Sequence, residues 1–428
     1  MMLLNTETPI STTLVRSNFI YLSCTLASLF VFVARPGEIF PFLSGARLGL
    51  MSFLLMAMAF FFSDGPAQLR QGKYDGTKWM KLFFLLGFCV IIFSDWPRMA
   101  FEGWRTILLV NTALYFFWLP AVRQPERIRK IVITLVLAAG CLVYAMLFAE
   151  SAVRYRAADL GRISVGGTYD PNDIAMVMAV VFPFAVFLFL NARLKGKLLW
   201  GSLLVCLVLA ILNTGSRGGL LALGIACLLF LFTTVKGLKT WHKFFVIALV
   251  TIFFMSPAAD TVKERWQMVL SGEDYNVESV EEGGMGRLSL WLSGAQLILK
   301  NPLTGVGVGN SSNAMGMEYG RWRALHNSYF QAGLELGLPG FVLFLLLLRT
   351  VWRNCTIARG VFAQNPEHHQ HVLLAVCTRI ALVTYIVAAF FLSQAYSLML
   401  PVLLLISDGL HHVASSVQTG KKLEAAEA

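Results

Sequence analysis

Apolar runs separated by short polar connections fill almost the whole chain. They lie near 17–34, 45–62, 79–95, 105–121, 130–149, 173–192, 197–214, 217–235, 243–258, 326–348, 372–392 and 395–410. Runs of about 17 to 25 apolar residues are long enough to cross the hydrocarbon of a bilayer as helices. They are too long for barrel strands, and inside lipid the backbone must satisfy its own hydrogen bonds. The pattern therefore predicts an all-α polytopic integral membrane protein with about twelve transmembrane helices. No internal sequence repeat suggests the duplicated halves of a transporter.

The connections set an orientation. Positive clusters follow alternate runs: Arg70, Lys73, Lys78 and Lys81; Arg123, Arg127, Arg129 and Lys130; Arg193, Lys195 and Lys197; Lys236, Lys239 and Lys243; Arg349, Arg353 and Arg359. The positive-inside rule assigns these loops, and both termini, to the cytoplasm. The loops at 35–44, 96–104, 150–172 and 259–325 then face outside. The expected organisation is nine transmembrane helices in 1–258, a periplasmic loop domain in 259–325, three more helices in 326–410, and a cytoplasmic tail in 411–428. Within the large loop, Asp260 to Leu270 and Arg287 to Lys300 carry apolar residues at helical spacing and read as two amphipathic helices on the membrane body. The stretch from Asn301 to Gly309 has the glycines of a phosphate-cradling loop without its Gly-Lys-Ser/Thr ending, and reads as a tight turn.

Composition agrees. The chain has 428 residues, 57% hydrophobic and 14% charged, against about 25% charged in soluble domains. Its net charge of +11 is largely accounted for by cytoplasmic loops, so nucleic acid is not an expected partner. The seven cysteines lie in or beside apolar spans, with neither a disulfide framework nor metal-ligand spacing. Glu367-His368-His369-Gln370-His371 has metal-ligand residue types but falls on the cytoplasmic side. No metal and no cofactor is expected.

Candidate chemistry comes from cations on the wrong side of the membrane. Arg154, Arg156, Arg162, Arg217, Lys263, Arg265, Arg287, Arg321 and Arg323 all map outside, against the usual bias. Arg217 stands alone at a helix start between Ser216 and Gly218-Gly219. A charge so close to hydrocarbon is costly and marks a functional site. Its planar fork and the positive helix N-terminus suit a lipid phosphate or diphosphate. His326 lies in Arg321-Trp322-Arg323-Ala324-Leu325-His326-Asn327-Ser328-Tyr329, where the loop enters a helix. The apolar stretch after Pro339 is too short to span alone, so the helix must begin near His326, with Asn327 and Ser328 as its caps. That sets an imidazole, able to accept a proton near neutral pH, at the outer mouth. Glu335, inside the same span, would pair with an arginine or hold a substrate hydroxyl. Asp170 and Pro171 read as a cap and first position of another helix. No Asp-x-Asp pair is present to hold a metal for a nucleotide sugar.

Ser216-Arg217-Gly218-Gly219, His326-Asn327-Ser328-Tyr329, Glu335-Leu336-Gly337 with Pro339-Gly340, the Arg287 to Trp291 stretch and Asn301 to Gly307 together resemble the O-antigen ligase family of bacterial inner membranes. The resemblance covers about residues 200 to 350; related polymerases and O-oligosaccharyltransferases share its motifs. It implies a GT-C-type membrane glycosyltransferase. The donor would be O-antigen polysaccharide on undecaprenyl diphosphate, and the acceptor a sugar hydroxyl of lipid A–core on the periplasmic face. Neither nucleotide sugar nor metal would be needed. It also implies that Arg217 and His326 are the essential pair. Arg265, Arg154, Arg156, Arg287 and Arg323 would then join Arg217 on the diphosphate, with Asn327, Tyr329 and Glu335 on the acceptor or supporting side. A polymerase or protein O-oligosaccharyltransferase would share the donor. A lipid-linked oligosaccharide flippase would instead need polar residues along a path through the membrane, and spans such as 79–95 and 217–235 offer almost none.

Overall fold

A computed structural model describes residues 9–72, 74–148, 152–154, 163–165, 169–233 and 284–427. The helices are α1 (Pro9–Ala34), α2 (Leu48–Phe61), α3 (Gly76–Cys89), α4 (Pro97–Arg123, with a π-helical segment at Trp104–Leu109), α5 (Pro125–Phe148), α6 (Pro171–Leu190), α7 (Leu194–Asn213), α8 (Arg217–Phe232), α9 (Gly284–Lys300), α10 (Ser311–Tyr319), α11 (Ser328–Phe362), α12 (His369–Ala389) and α13 (Met399–Glu427). Strands β1 (Ala152–Arg154) and β2 (Ile163–Val165) form a small antiparallel hairpin between α5 and α6. Among the described residues, nine helices are long and apolar enough to cross a membrane, with two shorter apolar helices at Phe19–Ala34 and Arg217–Phe232. The chain is an all-α multi-pass membrane protein. Eleven of the twelve apolar runs coincide with helices of the bundle. The run at 243–258 and the amphipathic stretch at Asp260 to Leu270 lie outside the described residues. The cytoplasmic tail expected at 411–428 continues α13 without a break at 410.

The bundle is built around α6, which packs on α5, α7, α8 and α12; α11 packs on α3, α12 and α13, and α1 on α2 and α5. The reason α6 is central lies in its sequence. It is apolar all round, and a helix without a polar face is stable only where every face is covered. Residues from Ile174 to Phe189 are buried throughout. Its start is a capping box: the Asp170 carboxylate accepts from the Asp173 N–H at 2.8 Å, and Pro171 fills the first turn, where no N–H is needed.

α11 breaks at Gly337, and the break is filled. Pro339 has no N–H to donate to the Glu335 carbonyl, and Gly337 sits at φ 69°. The stretch from Asn301 to Gly309 takes over the freed groups. Gly307 N–H donates to the Glu335 carbonyl at 2.9 Å, Val306 N–H to the Leu334 carbonyl at 2.9 Å, and Leu338 N–H donates to the Pro302 carbonyl at 2.7 Å. Backbone this close needs glycine on both sides. A Cβ on Gly305 would lie 2.6 Å from the Glu335 carbonyl carbon, and one on Gly337 would lie 2.7 Å from that of Leu303. The glycines of the tight turn therefore serve a protein backbone.

A buried polar node ties the other end of the bundle. The Asp408 carboxylate accepts from Tyr115 Oη at 2.5 Å, Asn354 Nδ2 at 2.8 Å and Gly76 N–H at 3.1 Å, joining α3, α4, α11 and α13. Beside it, Arg353 pairs with Asp75 at 2.7 Å. α11 runs from its start at Ser328 to this charged level.

Candidate functional site

The ends of four helices meet opposite the Asp408 node. The turn from α7 into α8 places Gly215 at φ 61°, and Ser216 caps α8 by accepting from Gly219 N–H at 3.2 Å. Arg217 follows with its side chain exposed, at the positive end of the helix dipole. A Cβ on Gly219 would lie 2.4 Å from Ala175 Cβ, and one on Gly218 would lie 3.0 Å from Phe391 Cβ. Both glycines are thus there to let the first turn of α8 close onto α6 and onto the segment between α12 and α13.

His326 sits half-buried at φ 48°, a left-handed conformation that costs a side chain about 1–2 kcal/mol. It turns the chain into Asn327, which is fully buried and caps α11 by accepting from Tyr329 N–H at 2.9 Å and Phe330 N–H at 3.1 Å. Ser328, expected as a second cap, does something else. Its hydroxyl donates to the Leu392 carbonyl at 2.6 Å and accepts from Gln394 N–H at 2.8 Å. Helix α9 lies against this turn: Trp291 Nε1 donates to the Leu325 carbonyl at 2.9 Å, and Arg321 donates to Ser289 Oγ at 2.9 Å.

Segment 390–398 connects the two halves. Phe391 packs on α8 beside Arg217, Leu392 and Gln394 hold Ser328, and Gln394 Nε2 donates to Asp173 Oδ1 at 2.5 Å. Arg217 and His326 thereby stand on one frame at one end of the bundle. The hairpin bearing Arg154 packs on α5 and α6 at that same end. Arg287 and Arg323 are half-buried there on α9 and on the turn before His326. Arg156 and Arg265 lie outside the described residues.

Glu335 and Tyr329, expected on the acceptor or supporting side, both make contacts within the body. Among the described residues Glu335 meets a backbone donor and not an arginine. It is 1% exposed, accepts from Gly309 N–H at 2.8 Å, and has the Tyr396 hydroxyl beside it. A buried carboxylate needs a donor, and the Gly309 N–H ties it to the 301–309 loop. Tyr329 donates to the Ile386 carbonyl at 3.1 Å, and its ring stands edge-on to Phe344. It supports the first turn of α11 from within the body. His368 and His371 pack edge-on or tilted against Phe362 and each other, and among the described residues no group of three or more His, Cys, Asp or Glu could hold a metal ion.

Two contributors escaped the sequence reading. Arg35, at φ 50°, pairs with Glu38 at 3.2 Å and lies 4.6 Å over the Tyr169 ring, close to Asp173. Burial pushes the Tyr169 phenol up, with Arg35 pulling the other way. It therefore stays a neutral donor, to the Val33 carbonyl at 3.3 Å. Arg35 begins a loop that the charge pattern assigns outside and, like Arg217, is a cation against that pattern, so the signal was present. Gln394 was marked only by polarity: Ser393-Gln394 interrupts two apolar runs.

Comparison with known families bears on the same residues. Residues 202–345 match the family model described as O-antigen ligase. This segment resembles the O-antigen ligase family. The match takes in α8 with Arg217, α9, the 301–309 loop and the His326 turn, and ends within α11. Residues 390–398, which join these parts, lie beyond it. No curated protein matches the chain. The match supports a relation to glycosyltransferase-like membrane enzymes of O-antigen or glycan processing.

Proposed function

We propose that this protein transfers O-antigen polysaccharide from undecaprenyl diphosphate to a sugar hydroxyl of lipid A–core at the periplasmic face of the inner membrane. What carries the reading is the common frame of Arg217 and His326, an exposed cation at a helix start and a histidine at the next helix mouth. In this reading the acceptor hydroxyl attacks the anomeric carbon and gives its proton to the imidazole of His326. The bond to the lipid diphosphate breaks, and the charge gained by the leaving group is stabilised by Arg217 and the α8 N-terminus. Arg287, Arg323, Arg154, Arg156 and Arg265 would contribute further positive field. A single displacement inverts the anomeric centre.

The test is a reconstituted assay with purified protein, undecaprenyl diphosphate-linked polysaccharide and lipid A–core, run with and without chelator. Wild type is expected to build a ladder on lipid A–core with chelator present. Arg217→Ala should lose about 10²–10³ in kcat, the scale for removing one preorganised charge-stabilising donor, and His326→Ala should lose at least as much. Growth of the lipid-linked glycan with lipid A–core left bare would make the protein a polymerase. Retention of anomeric configuration would sink the single displacement.

A further inference from the structure

The pair on which the transfer reading rests lies within the family-matched segment, but part of what holds it in place, Asp173 and segment 390–398, does not. Gln394 uses three polar groups on three elements. Its N–H donates to Ser328 Oγ at 2.8 Å, its carbonyl accepts from Tyr385 Oη at 2.7 Å, and its side-chain amide donates to Asp173 Oδ1 at 2.5 Å. The next residue adds a second tie to α11: Ala395 N–H donates to Gln331 Oε1 at 3.1 Å. The first turn of α11 is thus bonded at positions 328 and 331 to a segment that is itself bonded to the start of α6.

The α8 side closes on the same surfaces, through Gly219 on Ala175 of α6 and Gly218 on Phe391. His326 is two residues before Ser328, in a left-handed turn that only its surroundings can maintain. Arg217 opens α8. Their separation is therefore set by the clasp at 390–398 and by the Asp173–Gln394 bond that anchors it. A catalytic pair displaced by roughly 1 Å can lose about a hundredfold in rate.

We propose that Gln394 is a positioning residue for the transfer reaction, holding the His326 turn in register with Arg217 through Ser328 and Asp173. The proposal rests on the transfer reading above and deepens it. Its chemistry is specific: Asp173 offers a carboxylate, and the partner must donate. Gln394→Glu sets two carboxylates against each other and opens the clasp. Asp173→Asn in that background restores an amide-to-carboxylate bond with reversed polarity.

The experiment is a cycle on the full-length protein: wild type, Gln394→Glu, Asp173→Asn and the double variant. Each is assayed for transfer and for backbone hydrogen exchange in peptides covering 329–331. Gln394→Glu should lower kcat about a hundredfold with little change in KM, and should speed exchange at 329–331. The double variant should recover both. Ser328→Ala deletes clasp bonds without adding charge, carries the same expectation, and guards against a lost fold in Gln394→Glu. Wild-type kcat in Gln394→Glu and Ser328→Ala, or a double variant no better than Gln394→Glu, overturns the proposal. A wild type that transfers no glycan defeats the transfer reading and the kinetic role together, while the exchange cycle still decides whether the bond holds the turn.

Discussion

His326 carries two separable burdens, a backbone conformation and a side-chain function. At φ 48° a side chain is strained, whereas glycine adopts the left-handed region at no steric cost. His326→Gly is therefore expected to keep or slightly raise the thermal midpoint of the purified protein while losing transfer activity. Loss of the fold would show that packing of the imidazole matters more than the turn. At Arg217 the corresponding contrast is Arg217→Lys, which keeps the charge but loses the planar fork. We expect it to fall between wild type and Arg217→Ala in kcat. The sequence pointed to both residues, because a lone cation at a helix start and a histidine at a helix mouth are compositional anomalies. Their partners were not legible. The bond from Gln394 to Asp173 joins residues more than two hundred positions apart, and neither is unusual where it stands.

At the scale of the element, α11 shows why one apolar run contained a motif that looked like a site and turned out to be a joint. Pro339 and Gly337 free the Leu334 and Glu335 carbonyls and the Leu338 N–H inside the membrane, where water is not available to satisfy them. The 301–309 loop does so, and Glu335 holds the loop in turn. Gly305→Ala and Gly337→Ala each place a Cβ under 3 Å from backbone atoms and force a side chain into positive φ. We expect either to cost more than about 3 kcal/mol, read as poor recovery of folded protein in detergent and a lowered thermal midpoint. Glu335→Ala should do less, about 1–3 kcal/mol, the cost of leaving the Gly309 donor without an acceptor. A neutral Gly337→Ala would mean that the loop and the broken helix are not locked together. The glycines were visible in the sequence, but their purpose was not, because a glycine that admits phosphate and one that admits backbone are written alike.

For the whole molecule, two apolar helices with opposite fates make the point. α2 is strongly apolar, yet Leu50, Met51, Leu54 and Leu55 are all exposed on it. α6 is equally apolar and buried along its length. Phe182→Ala in α6 should cost about 3–5 kcal/mol as a core cavity. Leu54→Ala in α2 should cost under about 1 kcal/mol, since lipid replaces lipid-like surface without leaving a void. Thermal unfolding in detergent checks both, and a large loss at Leu54 would show that α2 packs against protein. The sequence by itself determined that the chain crosses a membrane and where its described helices fall, because hydropathy and length decide insertion one segment at a time. It could not say which helices form the core, since lipid and protein interior are alike to a leucine. Nor could it say that α6, α8, α11 and the 390–398 clasp meet at one mouth. Only the tertiary structure decided that, because the buried hydrogen bonds and glycine contacts that bring Arg217 and His326 together are made between segments distant in the chain.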